Sequence, residues 1–289
     1  MAIFKIDKNK VVKCSIKDDG FGDEFSLRDF FAENLEELLG IRFIEKEYPI
    51  QEGRIDTLGL DENNSPVIIE YKWKENEEVL AQGLFYYNWL IKNKKHFELL
   101  VENRLGEKIR VNWEQPRVLL VVQGFGRYIL GAVEQERHIE LLSYHYYEPD
   151  ILQLESIYTP PTIKSKRTIS RDDSTEYNLS YHLGTTNEVM QKRYKILREQ
   201  ILQLPEVEEK EAQKSGITYR TTKSFVHFDF RPTWIQVLLR DPEYSSDKEK
   251  LVKDVTSNRW GYKGAFKFNA DTDIDYLFQL IKDSYESTM

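Results

Sequence analysis

Residues 53–72 read GRIDTLGLDENNSPVIIEYK. Ile55 to Leu60 and Val67 to Lys72 read as two strands joined by Asp-Glu-Asn-Asn-Ser-Pro, a cluster of turn formers. A hairpin centred on Asn63 without a bulge sets Asp56 opposite Glu70, each seven residues from the centre. Glu70 and Lys72 are two apart and share a strand face. Directly opposed side chains have β-carbons about 4.5–5.5 Å apart. Two carboxylates at that spacing repel, and the usual resolutions are a shared proton or a bound cation. A hard divalent ion ligated by carboxylate oxygens and water suits this pair best. Lys72 then stands beside the ion, placed to hold a water or to steady developing negative charge. The competing reading is a solvated, purely structural hairpin. Against it, Val67-Ile68-Ile69 is continuously apolar, as in a central strand buried on both faces, and a carboxylate and an amine beside such a run need a partner.

Asp56 followed by Glu70-Tyr71-Lys72 resembles the D…(D/E)-x-K signature of the PD-(D/E)XK nuclease superfamily. Downstream, Gln82-Gly-Leu-Phe-Tyr86 is similar to the Q-x-x-x-Y motif of its RecB-like branch. The archaeal-type endonucleases that cut branched or mismatched DNA are the group the chain looks most like. Ile55 stands where the superfamily often has proline. The resemblance implies a restriction-endonuclease-like core, with Mg²⁺ or Mn²⁺ held by Asp56 and Glu70. It implies Lys72 as the residue acting on the attacking water or the transition state, and Gln82 and Tyr86 as residues lining the site. It also implies a helical glutamate upstream as a further metal or water ligand. Glu24 is the first choice and Glu33 the second. Read from the residues alone, Glu24 is equally a carboxylate favouring a helix N-terminus, and Tyr86 is one core aromatic among Phe85, Tyr87 and Trp89.

The chain has 289 residues, enough for two domains, with 40% hydrophobic and 31% charged content that suits a globular protein. No apolar run approaches a bilayer span, and the N-terminus lacks the apolar core of a signal peptide. The single cysteine, Cys14, forms no internal disulfide, which suits a reducing cytoplasm. A net charge of −8 argues mildly against a nucleic-acid partner, but net charge says little about one local basic surface. There is no G-x-x-x-x-G-K-[ST] phosphate loop. The five histidines lack zinc-ligand spacing, and Gly124-Phe-Gly126 misses the third glycine of a dinucleotide fingerprint.

Around the hairpin, a short strand is expected near Phe4-Lys5-Ile6. A helix is expected over roughly 24–39, with Ser26 and Asp29 as its capping box and Gly40 as its end. A strand over Ile41–Ile50 leads into the hairpin. Asn76-Glu77-Glu78 opens a helix running to about His96, with Gln82 and Tyr86 on one face. Lys92, Lys94 and Lys95 lie near it, as a DNA-backbone contact or a solvated run. Strands follow at Arg117–Val122, Ile139–Tyr147 and Ile151–Ile157, with a helix after Gly126. Helices flanking a mixed sheet give a three-layer α/β domain over 1–157.

Residues 158–178 carry no apolar periodicity and read as a linker, locally basic through Lys164, Lys166, Arg167 and Arg171. Residues 179–289 read as a smaller α+β domain. Its expected elements are a helix over Asn187–Gln203, a charged helix to Lys214, three strands, and a closing helix capped by Asp271 or Thr272. Its Tyr-Arg, Phe-Val-His-Phe and Trp-Gly blocks resemble a C-terminal domain of unknown function found in tandem with such nucleases. Arg259-Trp260-Gly-Tyr262-Lys263 reads as a stacking platform or as core packing.

The expectation is a Mg²⁺- or Mn²⁺-dependent DNA endonuclease or exonuclease of repair or defence. Its catalytic residues would be Asp56, Glu70, Lys72, Gln82 and Tyr86, with Asp56, Glu70 and Glu24 as metal ligands. RNA as a substrate and a homodimer are left open. The alternative is a nuclease-like module that binds nucleic acid or protein without cutting.

Overall fold

The computed structural model describes residues 3–8, 10–17, 20–106, 109–160, 177–210, 214–240, 244–256 and 261–289. Lys164, Lys166, Arg167 and Arg171 of the expected linker, and Arg259 and Trp260, lie outside them. The chain divides into two compact units, 1–161 and 162–289.

The elements of the first unit are β1 (Phe4–Asp7), β2 (Lys10–Lys13), β3 (Ser15–Ile16), α1 (Glu24–Glu33), α2 (Leu35–Leu39) and β4 (Arg42–Ile50). They continue with β5 (Gly53–Leu60), β6 (Pro66–Lys72), α3 (Val79–Lys92), α4 (Lys94–Leu105), β7 (Arg117–Val122), α5 (Arg127–Val133), β8 (Ile139–Glu148) and β9 (Ile151–Tyr158). The central hairpin has the register that its turn implies, with Thr57 opposite Ile69 and Leu58 opposite Ile68. The turn is fixed by Asp61, which accepts hydrogen bonds from the backbone N–H groups of Asn63 (2.9 Å) and Ser65 (2.8 Å). Asp61 is itself fully buried and paired with Arg117 at 2.6 Å.

The hairpin joins two pairing regimes. β4, β5 and β6 run antiparallel, β6, β7 and β8 run parallel, and β9 returns antiparallel to β8. This mixed sheet is covered on both faces. On one, α3, α4 and α5 bring Val79, Tyr86, Leu90, Phe97 and Ile129 onto Ile68, Val118, Leu120 and Leu141. On the other, α1 and α2 bring Leu27, Phe31, Leu35 and Leu39 onto Val67, Ile69, Tyr71, Val121 and Tyr144. Alternate residues of β6 thus meet opposite layers, and every residue of the strand before Lys72 is buried. The continuous apolar run at 67–69 follows from this double cover.

Several boundaries differ from the sequence expectation. The helix over 24–39 is two helices, because Asn34 leaves helical geometry and its side-chain amide donates to the Phe30 carbonyl at 2.8 Å. Its cap is Asp23, which accepts from the Ser26 N–H at 2.7 Å, not a box of Ser26 and Asp29. The chain after Lys72 forms α3 and then α4, interrupted at Asn93, and the Asn76 carboxamide caps only a turn, at the Glu78 N–H. β1 pairs with β2 in a ribbon that sequence reading reduced to one strand.

In the second unit, α6 (Leu179–Gly184) and α7 (Glu188–Ile201) precede β10 (Glu208–Glu209), β11 (Ile217–Arg220), β12 (Ser224–Phe230), β13 (Ile235–Leu239), β14 (Lys253–Asp254), β15 (Gly264–Phe268) and α8 (Ile274–Glu286). The strands form one antiparallel sheet in the order β10-β11-β12-β13-β15-β14. Tyr194, Leu197, Leu277 and Ile281 of α7 and α8 pack on Val226, Phe228, Val237 and Phe266. Within the charged helix expected before Lys214, Glu208–Glu209 form the short strand β10, where Glu209 takes both Arg198 (2.7 Å) and the Tyr219 hydroxyl (2.6 Å), and residues 211–213 lie outside the described residues. The cap of α8 is Asp273, not Asp271 or Thr272. Among the described residues no helix is long and apolar enough to cross a membrane.

Candidate active site

The site lies where β5 begins and β6 ends. The ladder between them stops at Thr57 and Ile69. One residue further, the Asp56 carboxylate accepts the Tyr71 backbone N–H at 3.1 Å and so replaces the next rung. This bond fixes Asp56 on the edge of β6. The Asp56 and Glu70 carboxyl groups are close enough for the Asp56 charge to act on Glu70. Glu70 is 2% exposed, and its Oε2 is buried without a hydrogen-bond partner. Burial, reinforced by the Asp56 charge, pushes the Glu70 carboxyl up to about 8. Burial also raises Asp56, against the Tyr71 N–H and the Lys72 charge. Two carboxyl groups this close share one penalty, which either a proton or a cation relieves.

Lys72 ends β6 with its Nζ 2.9 Å from Glu24 Oε1 and 3.5 Å from Glu70 Oε1. Burial works against its charge, but the Glu24 hydrogen bond and the Glu70, Glu24 and Asp56 charges outweigh it and raise the ammonium. Glu24 is the first residue of α1, because the Asp23 cap starts the helix just ahead of it. The structure therefore brings Glu24, Asp56, Glu70 and Lys72 together, with Glu24 bonded to the lysine. Glu33 is exposed at the far end of α1. Among the described residues, no three His, Cys, Asp or Glu side chains converge as a metal-binding group.

Gln82 and Tyr86 share a face of α3. Tyr86 is buried, and a β-carbon on Gly53 would lie 3.2 Å from its hydroxyl, so the ring covers the start of β5. Burial raises its phenol, and the Glu70 charge adds to this. Gln82 Oε1 is buried without a hydrogen-bond partner.

Sequence reading missed a second layer of charge. Arg28, one helical turn after Glu24, is 5% exposed and pairs with Asp29 (2.9 Å) and Glu47 (2.8 Å). Glu47 also holds Arg54 at 2.9 Å. Arg28 acts on Asp56 as a lowering charge. The available signal was a cation beside Leu27 on the apolar side of the helix. Lys94 stands over the Trp113 ring at 5.1 Å, while Lys92 and Lys95 are exposed.

Comparison with known proteins gives two family matches. The Endonuclease NucS C-terminal domain matches residues 23–99, and a domain of unknown function, DUF5655, matches residues 181–288. The first spans every site residue from Glu24 to Tyr86. An uncharacterized protein of Haemophilus influenzae is 27% identical over 304 aligned positions, covering 98% of this chain and 99% of the relative. Among solved structures, a repair endonuclease from Pyrococcus abyssi is 20% identical with a TM-score of 0.26, covering 40% of this chain and 43% of that one. EndoMS, in the structure of an EndoMS-dsDNA2 complex, is 17% identical with a TM-score of 0.27, covering 50% of this chain and 64% of that one. The chain thus spans less than two thirds of either solved chain.

Proposed function

We propose that the protein is a metal-dependent DNA nuclease of the PD-(D/E)XK type, close to the RecB-like and archaeal endonuclease branch, acting in repair or defence. The observation that carries this reading is the Asp56–Glu70 pair, a half-buried carboxyl beside a buried one that has one oxygen unpartnered and an ammonium alongside. The match of residues 23–99 to an endonuclease domain supports it.

The donor set fits a hard divalent cation such as Mg²⁺ or Mn²⁺, held by Asp56 and Glu70. Such an ion, when bound, polarises the phosphate and makes bound water more acidic. The protein's own groups do the rest. Asp56 is oriented by the Tyr71 N–H, and Glu70 is kept dry by the sheet. Lys72 holds the attacking water or neutralises charge on the phosphorane, and Glu24 keeps it protonated and pointed. Glu24 gives one oxygen, Oε1, to Lys72, and its second oxygen would serve a metal or water. Tyr86 and Gln82 close the α3 side, with the Gln82 carbonyl available to a substrate or water.

The test is cleavage of single-stranded, duplex, flapped and mismatched DNA in Mn²⁺, with Lys72→Ala alongside. Lys72 acts mainly on charge that develops in the transition state, so its loss should remove at least about a hundredfold of the rate while DNA affinity in Ca²⁺ stays within about threefold. Undiminished cleavage by Lys72→Ala would end this assignment. Tight binding by the wild type with no cleavage of any form would make the chain a nuclease-like binding module.

A further inference from the structure

A row of ion pairs runs from α1 across β4 to the start of β5. Lys46 pairs with Asp29 (3.1 Å), Asp29 with Arg28 (2.9 Å), Arg28 with Glu47 (2.8 Å) and Glu47 with Arg54 (2.9 Å). Arg28 is buried within the row, and Arg54 is its exposed end, with 51% of the side chain open to water. Three cations against two carboxylates leave the row one positive charge in excess. Its centre is Glu47, where a single oxygen, Oε1, receives both guanidiniums. Glu47 lies inside β4 at a φ of 52°, a left-handed backbone conformation that costs a non-glycine residue energy. It stands across from Asp56, between the pairs Lys46–Thr57 and Tyr48–Ile55. Protection of an outer strand does not call for this strain, because Pro49 and the register shift between Phe43 and Glu45 already blunt β4.

Arg54 is two residues before Asp56 on β5 and shares its strand face. Its backbone is fixed by the ladder to Pro49, and the preceding Gly53 lies under the Tyr86 hydroxyl. The ion pair with Glu47 uses Nη1, and a guanidinium has further N–H donors beside it. With a divalent ion bound, the formal charges of Glu24, Asp56, Glu70, Lys72 and the ion sum to zero. Attraction for a second backbone phosphate then has to come from outside these groups, and a guanidinium fork matches phosphate oxygens.

We propose that Arg54 binds a backbone phosphate of the substrate next to the one held at Asp56 and Glu70, and that Glu47 positions it there. The inference rests on the nuclease reading and adds a phosphate-binding residue that lies outside the D…(D/E)-x-K and Q-x-x-x-Y motifs. Arg54 does not touch the reacting atoms.

The test uses the full chain in Ca²⁺ with single-stranded and duplex DNA of about 20 nucleotides, affinity being read at several salt concentrations. Arg54→Ala should weaken binding about tenfold and lower the slope of log affinity against log salt by about 0.7 to 0.9, the share of one phosphate contact. Arg54→Lys keeps the charge, so the slope should stay while affinity falls about threefold. Arg28 keeps Asp29 in Glu47→Gln, so that variant should fold, and in its background Arg54→Ala should cost less than about threefold. An unchanged slope for Arg54→Ala would overturn the phosphate contact. An equal loss in both backgrounds would overturn the positioning by Glu47. If the wild type cuts DNA while Arg54→Ala binds undiminished, this contact alone is wrong. If the wild type binds DNA, loses one contact with Arg54→Ala, yet cuts no form, the contact stands and the nuclease reading falls. If the wild type binds no DNA of any form, both fall.

Discussion

Replacing Glu70 by glutamine tests the central electrostatic claim without any substrate. Glu70 sits at about 8 in the folded protein against an ordinary 4.5. Below the ordinary value both folded and unfolded states hold the proton, so there is no difference between them. Between the two values the unfolded chain releases its proton and the native state keeps one, so stability falls as pH rises. Above about 8 both are ionised and the loss is complete. The slope is at most about 1.4 kcal/mol per pH unit, giving an upper bound of about 3.5 kcal/mol between pH 4.5 and pH 7. Asp56 shares the penalty, so the difference lies below that bound. Glu70→Gln removes the ionisable group at nearly constant shape, so its stability profile should be flatter and should cross above that of the wild type near neutral pH. Urea unfolding in the presence of a chelator, at steps from about pH 5 to about pH 8, measures this directly. Parallel profiles, or a wild type that gains on the variant as pH rises, would refute the buried, mutually repelling pair.

Two other substitutions probe neighbouring claims. Asp56→Asn relieves the same repulsion while keeping an acceptor for the Tyr71 N–H, so the metal-free protein should lose no stability, yet the rise in melting temperature on adding Mg²⁺ or Mn²⁺ should vanish; a retained rise would place the ion elsewhere. Gly59→Ala puts a β-carbon 2.4 Å from Ile41 Cγ2 and 3.0 Å from the Arg42 carbonyl, so it should cost about 1–3 kcal/mol, read as a lower urea midpoint at unchanged slope, and an unchanged midpoint would mean that the close approach of β4 to β5 is soft.

The hairpin register was legible because turn residues mark its centre and side-chain alternation does the rest. The same two signals place Glu70 and Lys72 on one face. What stayed hidden was set by contacts far apart in sequence. The apolar stripe of Leu27, Phe31, Leu35 and Leu39 runs unbroken through Asn34, so nothing local announces the break that the asparagine makes. Asp61 read as one turn former among several, but its burial depends on Arg117, which the parallel crossover brings back. Glu208 and Glu209 have helical propensity, and pairing with β11 together with Arg198 and Tyr219 overrides it. At the site, sequence reading weighed Glu24 as a metal ligand or a helix-end carboxylate. The side chain meets Lys72, which required knowing that α1 starts at the end of β6.

The hairpin between Gly53 and Lys72 also bears on the order in which the protein can assemble. Asp56 and Glu70 meet through a local turn, a contact that forms on the microsecond scale before distant strands arrive. In open water their repulsion is only about 1 kcal/mol at 4 Å, so it scarcely opposes that step. The large penalty arises later, when the flanking helices dock and strip the water away. Its burden therefore falls on the late part of the folding barrier and on the unfolding rate. Glu70→Gln at neutral pH should slow unfolding more than it speeds folding. The charges that the site needs are thus gathered while gathering them is easy, and the sheet closes over them last.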